Sequence, residues 1–164
     1  AGIDRLGCRH DLGAEAMTRV YTIGYEAATM AEFLAALQAA GVRRVIDVRA
    51  LPPSRRPGFS KSPLAAELAA RDIDYVHLKA LGTPKRGRDA AKKGDVATLR
   101  AVYDAQLALP EAQAAAARMR ALVEETPSAL LCFERDPCHC HRTLLLGAEG
   151  QEFDVVHLYP GATP

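Results

Sequence analysis

Short apolar runs without polar alternation recur along this chain, separated by stretches of helical periodicity. That pattern confines it to a parallel α/β arrangement. Arg44-Val-Ile-Asp-Val48 and Ala129-Leu-Leu-Cys-Phe133 are the clearest runs. Strands covered on both faces read this way, whereas half-solvated strands alternate. Val20–Ile23, Ile73–His77 and Asp154–Leu158 complete a set of five. Between the strands, Thr29-Met-Ala-Glu32 has the spacing of a capping box, and Phe33, Leu34 and Leu37 continue it at helical period until Gly41. Ser62-Pro63 reads as an N-cap and first-turn pair for a helix running to about Ala70. Two further helices are expected over about 95–108 and 110–125, and another opening at Thr143-Leu-Leu-Leu. The segment 80–94, glycine-containing and basic, reads as a mobile loop.

This order predicts one three-layer α/β domain over residues 17–164, with a mostly parallel sheet of about five strands and helices on both faces. Residues 1–16, which precede Met17-Thr-Arg-Val-Tyr, read as a leader or extension in which Cys8 is incidental. Right-handed crossovers bring the loops after Ile23, Val48, His77 and Phe133 to one sheet edge. Such an edge is where ligands bind in open α/β folds.

At 164 residues the chain can bury a full core. No apolar run approaches the roughly 20 residues of a membrane-spanning helix, and no membrane partner is expected. Three of the four cysteines crowd residues 132–140, whereas an oxidised scaffold spreads its staples, so a reducing, cytoplasmic setting with free or metal-bound thiols is expected. The net charge of +1 conceals a bias, because twelve of the 21 Lys and Arg residues fall within 43–61 and 79–93. Such blocks suit an anionic partner, a small molecule or a nucleic acid, and equally a solvated basic face.

The chemistry-bearing stretch is Cys132-Phe-Glu-Arg-Asp-Pro-Cys-His-Cys-His-Arg142, lying between a strand and a helix. Cys140 near a helix N-terminus, beside His141 and Arg142, has the surroundings of a stabilised thiolate. In that reading Cys140 is the nucleophile of a transferase or hydrolase, His141 its base, and Glu134 and Asp47 orient them. Arg49, Ser54, Lys61, His77 and Arg142 supply a ligand-binding set for a phosphate-bearing molecule. The structural alternatives are a buried Cys140 that only packs, and an Asp47–Arg49 salt bridge that ties down the proline-rich loop after the second strand. No cofactor is expected, and no metal, since structural zinc uses two separated ligand pairs and this chain has no second pair. Cys132 also lies inside a strand, where its side chain can face away. A zinc-stabilised interaction domain is nevertheless one alternative, and a nucleic-acid module using the basic loops, with Tyr21, Tyr25, Tyr75 and Tyr103 as stacking platforms, is another. Neither a Gly-x-Gly-x-x-Gly turn nor a Cys-x5-Arg phosphate cradle is present.

Taken in order, Tyr21-Thr-Ile-Gly-Tyr-Glu26, Asp47-Val-Arg49, Arg56-Pro-Gly-Phe-Ser-Lys61, Tyr75-x-His77-Leu, Leu81-Gly82, Cys132-x-Glu134 and Cys140-His-Arg142 resemble the domain-of-unknown-function family DUF488. The resemblance runs from Tyr21 to about Pro160, with Cys138 and His139 outside its pattern, and it implies no settled activity. Val45-Ile-Asp-Val-Arg49, the cysteine loop and Val155-Val-His-Leu-Tyr-Pro-Gly161 are also similar in layout to rhodanese-type sulfurtransferases, in which an active cysteine sits in a loop that opens a helix.

Overall fold

The computed structural model describes residues 17–52, 54–149 and 153–161. The expected extension over residues 1–16 lies outside them. Five strands, β1 (Arg19–Gly24), β2 (Arg44–Asp47), β3 (Asp74–His77), β4 (Ser128–Cys132) and β5 (Asp154–Leu158), form one parallel sheet in the order β3-β2-β4-β1-β5. The helices are α1 (Met30–Ala39), α2 (Lys61–Ala69), α3 (Lys85–Lys92), α4 (Val96–Leu107), α5 (Pro110–Glu125) and α6 (His141–Ala148).

Alternation along the strands sends consecutive side chains into two cores. Val45, Ala129 and Leu131 meet Phe33, Leu34 and Leu37 of α1 and Leu64 and Leu68 of α2. Ile46 and Leu130 meet Tyr103 of α4, Met119 of α5 and Leu145 of α6 on the opposite face. The three-layer α/β domain expected from the sequence is therefore the fold. No described helix is long and apolar enough to cross a membrane.

Local rules account for most element ends. Thr29 and Glu32 close the capping box on α1 in both directions, at 3.2 and 2.8 Å, and Gly41 ends the turn with φ 71°. Two expectations need correction. The N-cap of α2 is Ser60, not Ser62, and Pro63 sits inside the first turn, where amides have no intrahelical acceptor for proline to displace. Residues 80–94 are not one loop, because Lys79–Leu81 make a 3-10 turn and α3 follows over Lys85–Lys92. This helix carries only a narrow face of small residues, Gly87, Ala90 and Ala91, of which Gly87 and Ala90 are buried. A Cβ at Gly87 would stand 2.4 Å from Cγ2 of Thr83, so glycine is what lets α3 close onto its own entry.

The strand order fixes where a site can form. β2 and β4 are neighbours, yet β2 leads outward to β3 while β4 leads across β1 to β5. A crevice opens between the carboxyl ends of strands whose connections part in this way. Gly24 holds the floor together. A Cβ there would lie 1.8 Å from the carbonyl oxygen of Glu134, so only glycine lets β1 end against the chain leaving β4.

Candidate functional site

Where β4 ends, Cys132 shares the strand parity of Leu130 and so faces the layer that contains α6. The chain then turns through Glu134 and a short 3-10 segment, Pro137–His139, and α6 starts at His141, two residues before the expected opening. Cys140 is its N-cap residue. Strand end and helix start thereby bring two thiols to one imidazole. Nδ1 of His141 stands 3.6 Å from Sγ of Cys132 and 3.8 Å from Sγ of Cys140. On the far side of the ring, Nε2 is 2.8 Å from the carbonyl oxygen of Val48, where β2 exits, and the edge of the ring meets Tyr103. Cys132 donates to Oε2 of Glu134 at 3.0 Å, and Nε of Arg142 donates to Sγ of Cys140 at 3.1 Å. Arg142, only 1% exposed, also donates to the carbonyl oxygen of Glu134, which braces the turn.

These contacts divide the two thiols. Burial alone would push the Cys140 thiol up, but the neighbouring Cys132 thiol and the charges of His141 and Arg142 hold it well below the usual range. Cys132 moves the other way, first because of the Cys140 sulfur beside it and then because it is buried. Burial and the nearby Cys140 raise the Glu134 carboxyl. All three described cysteines are free, and Cys138 alone of them is exposed.

A cavity of about 100 Å³ reaches this cluster. Cys132, Glu134 and His141 line its floor, and Thr83 and Arg88 line the wall that α3 and its entry supply. Cys140, 3% exposed, lies behind them. Thr83 is also 3% exposed, and its hydroxyl is buried without a hydrogen-bond partner. Arg88 donates from Nη1 to the Thr83 carbonyl oxygen at 2.7 Å, which orients a half-buried guanidinium at the cavity.

The residues expected to form the site divide accordingly. Cys140, His141, Glu134 and Arg142 come together. Asp47 and Arg49 pair bidentately at 2.9 and 2.8 Å, both buried, and Arg49 further donates to Tyr25 and to the Phe59 carbonyl oxygen. Arg49 lines the cavity, but four of its five side-chain donors are taken up by the protein. His77 bonds the Arg49 carbonyl oxygen at 2.8 Å. Ser54 accepts from the Arg56 amide and donates its own amide to Ser60, within the proline-rich loop. Lys61 is exposed at the start of α2, outside the cavity lining. Sequence reasoning did not single out Thr83 or Arg88, since neither belongs to a motif.

No curated protein and no solved structure matches the chain. The family described as Domain of unknown function DUF488 matches residues 29–148, well over half of the sequence, including Cys132, Glu134, Cys140, His141, Thr83 and Arg88. The chain belongs to that DUF488 family.

Proposed function

We propose that this protein binds a small oxyanion-bearing ligand in the cavity at the carboxyl edge of β2 and β4 and acts on it with the Cys132–Cys140–His141 cluster at the floor. The buried, unpartnered hydroxyl of Thr83 on the cavity wall carries the reading. A buried hydroxyl without a partner costs about 1–3 kcal/mol, and rotation of the Thr83 side chain toward the cavity would let a ligand oxygen relieve that cost. Arg88 adds a cation beside it, replacing the expected holders Arg49 and Lys61. Arg142, also expected to bind the ligand, instead supports Cys140 and the turn. The nucleic-acid alternative draws less support, because Arg44, Arg49 and Arg56 of the first basic segment are engaged with Glu125, Asp47 and the Ala28 carbonyl oxygen.

Calorimetric titration with inorganic phosphate, sulfate and thiosulfate tests the reading. A hydrogen bond to a charged group contributes about 1.5–3 kcal/mol, so Thr83→Val and Arg88→Gln are expected to weaken binding by about tenfold or more. Lys61→Ala should leave it within about twofold, since an exposed charge outside the pocket is screened. Thr83→Val should leave the unliganded protein at least as stable as before, because it removes an orphan group. Equal losses for Lys61→Ala and Arg88→Gln, or no binding of any of the three anions, would contradict the proposal.

A further inference from the structure

We infer that Cys132, Cys140 and His141 are the three protein ligands of a zinc-like divalent metal whose fourth position opens on the cavity. The inference rests on the proposed function for its cavity and deepens it by naming what the cluster holds. The donor atoms of the three residues all lie within 4.8 Å of one another. Tetrahedral zinc, with Zn–S of about 2.3 Å and Zn–N of about 2.0 Å, sets its sulfur and nitrogen ligands about 3.6 Å apart. The two sulfur-to-nitrogen separations are 3.6 and 3.8 Å, the spacing of a coordination sphere.

The surrounding contacts are those that orient metal ligands. Nε2 of His141 is committed to the Val48 carbonyl oxygen at 2.8 Å, which fixes the ring and leaves Nδ1 to the sulfurs. Nε of Arg142 supports the Cys140 sulfur at 3.1 Å. Charge also balances. Two thiolates offset a divalent ion, and the Arg142 guanidinium is held by the Cys140 sulfur and the Glu134 carbonyl oxygen.

Three protein donors with one open position is the pattern of a catalytic rather than a structural zinc. Cys132 and His141 both line the cavity, so the open position faces ligand. Glu134 lies beside the centre through Cys132, outside the group of three donors, where its carboxyl can hydrogen-bond a molecule at the fourth position. On loading, the thiols give up their protons to solvent as two metal–sulfur bonds and one metal–nitrogen bond form.

Cobalt titration of the reduced, chelator-treated full chain carrying Cys8→Ser and Cys138→Ser tests the site, since Cys132 and Cys140 are then the remaining thiols. The expected result is a one-to-one thiolate-to-cobalt charge-transfer band with visible bands of tetrahedral intensity, abolished by added zinc. Adding Cys140→Ser should weaken cobalt binding by more than about 100-fold, beyond the range for loss of a supporting hydrogen bond. Glu134→Gln should keep the band. If the Cys140 variant does not fold, the unsubstituted chain supplies the readout, because zinc should slow alkylation of Cys132 and Cys140 while Cys138 reacts unchanged. Absence of the band in folded protein, or a band that survives loss of both thiols, overturns the inference. Metal is read here without any anion. Cobalt binding without phosphate binding would sink the proposed function alone, and the reverse would sink the metal site alone.

Discussion

Asp47 is fully buried and accepts four hydrogen bonds, from the backbone and two guanidinium nitrogens of Arg49 and from the Tyr75 hydroxyl. A lone carboxylate there would be prohibitively costly, so this ion pair is a joint that sets the direction in which the chain leaves β2. Burial, then the Asp47 carboxylate, raises the Tyr75 phenol well above its ordinary value. The sign follows from linkage. The unfolded chain loses the Tyr75 proton near pH 10 while the folded chain keeps it, so this contribution to stability is full below pH 10 and falls as pH rises beyond it. Urea melts across that range should show a shallower alkaline decline for Tyr75→Phe than for the unsubstituted protein. Parallel declines would remove Tyr75 from the account. Alternation in the sequence was enough to pair Asp47 with Arg49. That Tyr25 and Phe59 take two more of the five Arg49 side-chain donors, leaving one, was not legible, because they come from distant segments.

Among the elements, α3 decides the wall of the cavity. Its sequence, Lys85 to Lys92, is polar almost throughout, and Lys85–Asp89 is an exposed i,i+4 pair. The helical period there is carried only by the small residues Gly87, Ala90 and Ala91 and was easily passed over, whereas the capping box of α1 and the Pro110 start of α5 were plain. Gly87→Ala sets two effects against each other. Alanine favours an interior helical position by about 1 kcal/mol, while its methyl must displace the Thr83 side chain from 2.4 Å. The Thr83 methyl can rotate or shift, so global stability is expected to change by less than about 1 kcal/mol while phosphate affinity falls by about tenfold. A variant that binds phosphate normally would show that the position of Thr83 does not matter.

For the whole molecule, the convergence of strand ends was legible and the neighbour relations were not. Alternating strands and helices imply a parallel sheet with one loop-bearing edge, but only the order β3-β2-β4-β1-β5 places β2 beside β4. Cys132 and Cys140 bracket a turn that folds α6 back over the end of β4. Reasoning from separated ligand pairs in sequence therefore did not anticipate that Cys132, Cys140 and His141 meet in space. The account stands on a single claim, that Cys132 and His141 share one ligand cavity with Thr83 and Arg88. The most direct measurement is alkylation of each cysteine in the metal-stripped, reduced protein, mapped by mass spectrometry with and without saturating phosphate. Cys138 should react fastest and ignore the anion, whereas Cys132, reached only through the cavity, should react more slowly and be slowed further by phosphate. A Cys132 that is inert throughout, or that reacts at the same rate with and without the anion, would contradict the account.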